Sequence, residues 1–527
     1  MTEAQRENMP TQTSTKPAET AFVDQDAQQQ KPSQHVIIIG AGIAGLTAGI
    51  YARQSGFKTT IFESHSIPGG ASTSWRRNGY LFEGGMHWLT GSSPKTALNA
   101  IWYEVGALDD DTPIHNCDPF CVCEFEEKAI SVYRDLDTLR NHLIDISPED
   151  KREIIKLCKD IKRFAEIDMP ISNLKDVKML KKPASTGISM LLSFPAFARM
   201  PFYAKFTIGE YAQRFKSPAI RHFMANLIGE DMSATGLLFT LATLTSGDGG
   251  YPEGGSLGMA KRMATYFEKL GGEIYYKTFV ERVVIKDGRA TGIQVNGNLM
   301  HADAVIITQD TLAAANALFD PPFSEPWLEE LRAGCVPLLN TFVSLGVHAD
   351  LRDIPETLCF TPSVPITCAE QDHTAITVNN YATYTGYAPD GCTALTVFLA
   401  GDSYDWWQER QQEGTYDEEK QKLAESIITM LAEKFPQTKD AIDVWDVATP
   451  LTYERYIHSY KGSWMSNVGK GAQIKGYPLK SQTIDALYFA GQRLRAPGGL
   501  PVAVESGRSS VQYLCRDTDS VFQGNLA

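Results

Sequence analysis

The 527-residue sequence contains no C-x-x-C pair, although it has nine cysteines. Because their number is odd and they are scattered, we predict neither a disulfide framework nor a zinc ribbon, and we expect a reducing, intracellular location. The tightest group brings His115 near Cys117, Cys121 and Cys123, but this is not the spacing of a zinc site. Residues 120–125 read as a strand instead, and we predict no metal.

Positive charge and long apolar runs are also in short supply. The chain has 63 acidic and 49 basic side chains, a net charge of −14, which argues against a nucleic-acid-binding protein. The apolar stretch 187–206 is interrupted by Pro195, Arg199 and Pro201, so it is a poor membrane span. Residues 1–34 are polar and lack the apolar core of a secretory signal. We therefore expect a disordered tail and a cytoplasmic protein, with peripheral attachment to a membrane left open.

The folded part of the chain is predicted to begin near His35. The length suggests about three domains, or two with insertions. A short apolar run, His35–Ile39, is followed by glycines, a helical pattern and a second apolar run, Lys58–Phe62. This order predicts the opening unit of a doubly wound parallel sheet. Further along, we predict a helix over Tyr416–Lys434, a buried strand over Ala486–Ala490 and a last helix over Val504–Cys515.

The first predicted turn carries a complete G-x-G-x-x-G, formed by Gly40, Gly42 and Gly45. In this motif the first glycine allows a tight turn, the second lets a pyrophosphate approach the backbone, and the third lets helix and strand pack closely. Glu63 ends the second strand, where a carboxylate can accept hydrogen bonds from ribose hydroxyls. Strand, turn, helix and acid together predict a dinucleotide site.

Three blocks of the sequence, roughly residues 35–95, 245–310 and 450–515, carry a resemblance. The middle block contains Gly250-Tyr-Pro252-Glu-Gly254-Gly255, and the last contains Pro497-Gly-Gly-Leu-Pro501. They resemble the FAD-dependent phytoene desaturases, carotenoid isomerases and retinol saturases of the flavin amine-oxidase superfamily. The resemblance implies an α/β fold with a Rossmann-like FAD-binding domain of the glutathione-reductase type and an interleaved α+β substrate domain.

That family implies boundaries and a cofactor site. We expect the FAD domain in residues 35–115, 245–320 and 450–517, and the substrate domain in 116–244 and 321–449. Ala71 stands where the family usually has arginine, and Arg76 or Arg77 is a candidate replacement. FAD is expected to bind non-covalently to Gly40, Ala41, Gly42, Ile43, Ala44, Gly45, Glu63, Ser64, Gly69, Gly70, Ala71, Gly85, Met86, His87, Val280, Gly491, Gln492, Gly499, Leu500, Pro501 and Val502.

FAD fits this pattern better than NAD. A nicotinamide site needs a single Rossmann unit, whereas these blocks return to the same domain from distant positions, as a longer cofactor requires. The sequence has only one G-x-G-x-x-G, so we predict no separate pyridine-nucleotide domain. Electrons are expected to come from or go to a transiently docking donor or acceptor, unless the net reaction is redox-neutral.

Four side chains are candidates for proton transfer or electrostatic work beside the flavin: Glu505, His87, Tyr453 and His458. Each has an alternative interpretation. Glu505 could instead pair with Arg493 or Arg495, and His87 could be a structural histidine. Tyr453 and His458 belong to an aromatic segment that either lines the substrate end of the flavin or crosses between domains.

A basic region surrounds the apolar stretch 187–206. Residues 151–221 carry 15 lysines and arginines against 6 acidic residues. Aromatic residues rimmed by cations favour binding to an anionic membrane surface. A buried helix of the substrate domain beside a charged neighbour would have the same sequence pattern. Both interpretations predict a hydrophobic small-molecule substrate.

The sequence thus predicts an FAD-dependent oxidoreductase that desaturates, saturates or isomerises carbon–carbon double bonds of a long hydrophobic molecule. The resemblance favours an isoprenoid, retinoid or carotenoid, and a fatty acyl chain is compatible. Two alternatives remain at this point: a flavin amine oxidase and a non-catalytic flavoprotein that binds lipid.

Overall fold

The computed structural model describes residues 33–167, 171, 173–179, 195–471 and 475–524. The predicted disordered tail lies almost wholly outside these residues, as do residues 180–194, which include the start of the apolar stretch. No helix in the described ranges is both long and apolar enough to traverse a bilayer.

The two largest sheets have five and seven strands, and the other strands described form a three-stranded sheet and two-stranded ribbons. In chain order the strands are β1 (His35–Ile39), β2 (Lys58–Phe62), β3 (Ser74–Arg77), β4 (Tyr80–Glu83), β5 (Ile114–His115), β6 (Val122–Phe125), β7 (Lys128–Ser131), β8 (Lys178–Met179), β9 (Tyr251–Pro252), β10 (Glu273–Tyr275), β11 (Arg282–Lys286), β12 (Arg289–Val295), β13 (Asn298–His301), β14 (Ala304–Ile307), β15 (Pro337–Leu338), β16 (Asn340–Val347), β17 (Thr357–Phe360), β18 (Ile366–Cys368), β19 (Gln371–His373), β20 (Ile376–Asn380), β21 (Thr393–Ala400), β22 (Ile442–Ala448), β23 (Met465–Ser466), β24 (Leu487–Phe489) and β25 (Val521–Phe522).

Helices cover the sheets and build a separate helical layer. The α-helices are Ile43–Gln54, Ala97–Glu104, Leu136–Ile146, Lys151–Phe164, Met200–Tyr203, Ile208–Ala212, Pro218–Ile228, Ala234–Thr245, Gly255–Lys269, Thr311–Ala317, Pro326–Gly334, Tyr404–Glu413, Tyr416–Lys434, Pro450–Ile457 and Gly499–Asp517.

The first sheet is parallel, with the order β10-β2-β1-β14-β24. Its central strand β1 is buried on both faces, as the continuous run Val-Ile-Ile-Ile predicts for a parallel strand between helices. Helix Ile43–Gln54 packs on one face against helix Gly499–Asp517, so closely that a Cβ at Gly507 would lie 2.5 Å from the Ala44 carbonyl oxygen. The last helix begins at Gly499, earlier than the predicted Val504. Pro501 does not prevent this start, because proline is tolerated in the first turn of a helix.

The second sheet is mixed, with the order β22-β16-β21-β20-β17-β6-β7. Its strands are antiparallel except for β17 and β6, which run parallel. Helix Tyr416–Lys434, at the predicted position, packs on this sheet through Leu423, Ile427 and Leu431. The α/β fold with an interleaved second sheet is confirmed, while the domain boundaries stay a prediction.

A helical layer covers one end of the second sheet, and its core includes the cysteines of β6 and β17. The layer includes the helices Leu136–Ile146, Lys151–Phe164, Pro218–Ile228 and Ala234–Thr245. Tyr203, from the predicted membrane stretch, is buried and donates a hydrogen bond to Asp160 at 2.7 Å. Phe197 from the same stretch is 43% exposed. The described part of the stretch, residues 195–206, is thus partly core and partly surface, while Phe194 lies outside the described residues.

Candidate active site

A cavity of about 2400 Å³ runs from the edge of the parallel sheet to the second sheet and the helical layer. It gathers residues from all three blocks of the predicted nucleotide site. Nearly all the predicted FAD-binding residues line it, namely Gly40, Gly42, Ile43, Ala44, Glu63, Ser64, Gly69, Gly70, Ala71, Gly85, Met86, His87, Val280, Gly491, Gln492, Gly499, Leu500, Pro501 and Val502. The other two predicted residues, Ala41 and Gly45, are described by the structure but do not line the cavity.

The turn between β1 and the first helix distinguishes two kinds of glycine. A Cβ at Gly45 would lie 1.9 Å from the carbonyl oxygen of Gly40, so the protein's own packing requires glycine there. A Cβ at Gly42 would meet no described atom closer than 3.8 Å. Gly42 nevertheless precedes the helix and faces the cavity, which is the place where a pyrophosphate approaches backbone N–H groups. The turn therefore fits a dinucleotide.

Glu63 lies buried at the end of β2 and holds this turn together. Its carboxylate accepts hydrogen bonds from the backbone N–H of Ala41 and of His65, both at 2.7 Å. The Ala41 N–H therefore binds Glu63 and does not point into the cavity. Carboxylate oxygens have several lone pairs, so Glu63 can accept from ribose hydroxyls as well.

The opposite end of the predicted cofactor site is built by the C-terminal glycines. Gly498 has φ +100°, and helix Gly499–Asp517 starts directly after it with its first residues on the cavity wall. Gly499 donates its N–H to the Gln492 side chain at 2.9 Å. The positive end of this helix suits the negative charge that a flavin ring carries at N1 and O2.

The predicted catalytic residues do not all reach the cavity. Glu505 forms a bidentate ion pair with Arg495, at 2.7 Å and 3.0 Å, and stands outside the cavity lining of the described residues. Arg493 pairs instead with Asp310 at 2.6 Å, a buried pair that the sequence did not predict. Of the two partners considered for Glu505, the structure therefore selects Arg495, which does line the cavity.

His87, Tyr453 and His458 do line the cavity. Burial lowers the pKa of His87 to about 4, so its imidazole is neutral at physiological pH. The ring packs against Phe398, with a centroid distance of 5.2 Å. Burial raises the pKa of Tyr453 well above its usual value, and its hydroxyl donates to the Gly84 carbonyl oxygen at 2.6 Å. His458 has φ +49° and caps helix Pro450–Ile457.

Two arginines were candidates to replace the family's missing contact near Ala71. Arg77 lines the cavity and forms an ion pair with Asp446 at 3.0 Å. Arg76 donates to the carbonyl oxygens of Gly79 and Gly386, both at 3.1 Å, and points elsewhere. Arg77 is thus the better placed of the two.

The cysteine group considered in the sequence does not come together. His115 lies 2.5 Å from Glu253, and Cys117 contacts Glu356 and Tyr384. Cys123 instead faces the main cavity beside Cys359 and His222. The pKa of Cys359 is lowered to about 5, chiefly by a hydrogen bond from the Cys123 thiol. This group could not be predicted from the sequence, because it depends on the pairing of β6 with β17.

The chain is similar to known flavoproteins in sequence and in fold. The family described as "Flavin containing amine oxidoreductase" matches residues 43–515. Prolycopene isomerase 2 of an Oncidium hybrid cultivar is 27% identical, over 89% of this chain and 82% of that protein. A phytoene desaturase (lycopene-forming) of Pseudescherichia vulneris is 22% identical, over 91% and 99%. Among solved structures, the cyclohexylamine oxidase of Brevibacterium oxydans has a TM-score of 0.57 at 16% identity, over 93% and 100%.

Proposed function

This chain belongs to the flavin-containing amine oxidoreductase family and is an FAD-dependent oxidoreductase, and from that premise we propose that its substrate is a carotenoid-like polyene. The reaction we propose is desaturation or cis–trans isomerisation of the polyene's carbon–carbon bonds. The family, the enzyme class and FAD as cofactor, all predicted from the sequence, are confirmed.

The observation that carries the proposal is the continuity of the cavity. Its glycine-lined end adjoins a long apolar part walled by the second sheet and the helical layer, with Phe120, Phe239 and Phe398 among its lining side chains. A volume of about 2400 Å³ exceeds the usual 300–1,000 Å³ of a ligand pocket. That space suits a dinucleotide and a long apolar molecule together.

The amine-oxidase alternative has weaker support. The likeness to cyclohexylamine oxidase, at 16% identity, concerns the fold alone. The relatives matched in sequence over about nine-tenths of this chain are named as an isomerase and a desaturase. In addition, Asp446 and Asp310, two acidic residues of the cavity wall, are already paired with Arg77 and Arg493.

Bound FAD supplies hydride transfer to or from carbon. The chain's own residues bind and orient the cofactor. Gly42 and the start of its helix hold the pyrophosphate, and the first turn of Gly499–Asp517 offsets negative charge at the other end. His87 is uncharged, and the Tyr453 hydroxyl keeps its proton and donates a hydrogen bond to the Gly84 carbonyl oxygen. We propose that both side chains shape the site and that its apolar walls exclude water.

Two further partners belong to this proposal. We propose that a separate redox molecule docks transiently if the reaction is a net desaturation. We also propose that the polyene enters from an anionic membrane surface near Phe197, a residue that is both exposed and part of the cavity lining. A mouth at a lipid surface would let a water-insoluble substrate avoid bulk water.

The test uses the FAD-loaded protein under anaerobic conditions. Phytoene and poly-cis lycopene are supplied in micelles, and products are separated by chromatography. Isomerisation should proceed without net consumption of an acceptor, whereas desaturation should consume a quinone acceptor in proportion to the double bonds formed. A Gly42→Val preparation without FAD is the control. If both polyenes stay unchanged while putrescine or cyclohexylamine reduces the flavin, the chain is an amine oxidase and the proposal is wrong.

A further inference from the structure

Two cysteines and a histidine converge on the cavity wall away from the nucleotide turn. The sulfur atoms of Cys123 and Cys359 and one ring nitrogen of His222 all lie within 4.8 Å of one another. The cysteines are register partners on the neighbouring parallel strands β6 and β17. His222 comes from helix Pro218–Ile228, and its ring packs 4.8 Å from that of Phe125.

The surroundings of the cluster leave a polar atom unsatisfied. Cys123 and Cys359 are only 4% and 5% exposed. His222 Nε2 is buried, and no described residue gives it a hydrogen-bond partner. A buried polar nitrogen without a partner is unfavourable, and such a group calls for an explanation. None of these three side chains has a part in binding FAD as described above.

We propose that Cys123, Cys359 and His222 bind a divalent cation of the zinc class. Two thiolates and an imidazole are ligands that zinc prefers, at bond lengths of about 2.3 Å and 2.0–2.1 Å. Around one tetrahedral ion, such ligands stand roughly 3.5 Å apart by that geometry, so a small contraction of the observed cluster brings them into range. Harder cations such as Mg²⁺ prefer oxygen ligands and do not match this set.

The ion would keep one position open. Three protein ligands around a tetrahedral zinc leave a fourth place for water or another oxygen. Cys123, His222 and Cys359 all line the large cavity, so that fourth place faces its interior. The site therefore offers an oxygen-bearing molecule, such as an alcohol or carbonyl compound, an anchor in a wall that is otherwise largely apolar.

The first experiment uses the full-length, FAD-loaded protein with its cysteine thiols kept reduced. The protein is treated with a chelator, which is then removed, and is titrated with Co²⁺. We expect one equivalent to bind and to give tetrahedral cobalt bands at wavelengths longer than those absorbed by oxidised flavin. Zn²⁺ should displace these bands. Octahedral spectra, or no bands at all at one equivalent, would overturn the proposal.

Variants locate the ion. Cys123→Ser, Cys359→Ser and His222→Gln should each weaken Co²⁺ binding by more than about 100-fold, because even residues outside the ligand set commonly change metal affinity by 10–100-fold. Cys368→Ser is the matched control: it is also a buried cysteine, 6% exposed, but stands outside the cluster. Unchanged Co²⁺ affinity in all three variants would show that the metal binds elsewhere and refute the site.

A measurement on the wild type avoids dependence on variant folding. Zn²⁺ should slow alkylation of Cys123 and Cys359 by iodoacetamide in partly denatured conditions, as read by peptide mass spectrometry, while Cys368 reacts at the same rate with and without the ion. Equal alkylation of all three cysteines would contradict the proposal. FAD content is recorded in parallel, so failure of the metal site is separable from failure of the flavin function.

Discussion

Both large sheets of this protein contribute to the same cavity, but the parts that line it depend on the sequence in different ways. At the parallel sheet, the predicted nucleotide turn follows from short, local signals: a strand, a glycine turn and a helix that follow one another within residues 35–54. The mixed sheet positions its wall through strand pairs far apart in sequence, such as β6 with β17. The first kind of site can be altered one residue at a time, whereas the second depends on the packing of the whole domain.

The largest expected effect tests the local side of this comparison. Gly42→Val should abolish FAD binding, since the branched side chain occupies the space where pyrophosphate meets the backbone. The apoprotein's melting temperature should change little, because a Cβ at this position meets no described atom closer than 3.8 Å. Flavin absorbance of the purified protein and apoprotein thermal melts give the two readouts.

Gly45→Ala is the matched contrast. Its Cβ would lie 1.9 Å from the Gly40 carbonyl oxygen, so the apoprotein itself should lose about 3 kcal/mol of stability, as overpacking of a tight interior does. If Gly42→Val and Gly45→Ala destabilise the apoprotein equally, the distinction between ligand space and packing space is wrong.

Glu63→Ala should weaken FAD binding less than Gly42→Val does. The substitution removes contacts to the ribose but leaves the phosphate turn in place. It also leaves the buried N–H of Ala41 without its carboxylate partner, at a cost of about 1–3 kcal/mol. Titration of apoprotein with FAD, followed by fluorescence, compares Glu63→Ala with the conservative Glu63→Gln. Wild-type affinity in Glu63→Ala would mean that Glu63 serves the fold alone.

A smaller effect concerns His87, which lines the cavity and packs against Phe398. Its folded pKa of about 4 lies below the ordinary histidine value of 6.5, so the unfolded chain binds the extra proton more readily. The neutral histidine therefore contributes stability that is present above pH 6.5 and is lost as pH falls towards 4. Thermal melts from pH 7 to pH 4 should show a steeper decline for the wild type than for His87→Gln. Parallel curves would contradict the burial of a neutral imidazole.

The smallest effect tests the surface end of the cavity. Phe197→Ser should reduce co-sedimentation with anionic vesicles at every salt concentration, and wild-type binding should weaken as salt rises, because charge interactions are screened over about 10 Å at 0.1 M. Tyr103→Ser is the control, since Tyr103 is 44% exposed, against 43% for Phe197. Wild-type protein that stays in the supernatant at low salt would exclude entry from a lipid surface.

Local features of the fold could be predicted from the sequence, whereas contacts between distant segments could not. The turn at Gly40–Gly45, strand β2 and helix Tyr416–Lys434 were predictable, because each depends on a motif or a periodicity within one segment. The FAD site as a whole came from a family resemblance. The convergence of Cys123, His222 and Cys359 was not predictable, since it needs the order of strands in the mixed sheet.

The charge and the partners of the candidate catalytic side chains were harder to predict than the positions of the helices and strands. Glu505 is a catalytic candidate in the sequence, and in the structure it pairs with Arg495 and stands outside the described cavity lining. His87 is a candidate for proton transfer, and burial keeps its imidazole neutral at physiological pH. In both cases the sequence names the ionisable group, but partners and solvent exposure decide its charge, and these follow from contacts between distant segments.

The packing of helix Gly499–Asp517 against Ile43–Gln54 has a consequence for synthesis. The close approach of Gly507 to Ala44 joins segments that are far apart in sequence, so Ala44 leaves the ribosome well before Gly507 does. Strand β24, at the edge of the parallel sheet, also arrives late. Until both have emerged, the nascent chain has its glycine turn without the cavity wall that the start of helix Gly499–Asp517 provides. The two ends of the predicted cofactor site therefore become available at different times during synthesis.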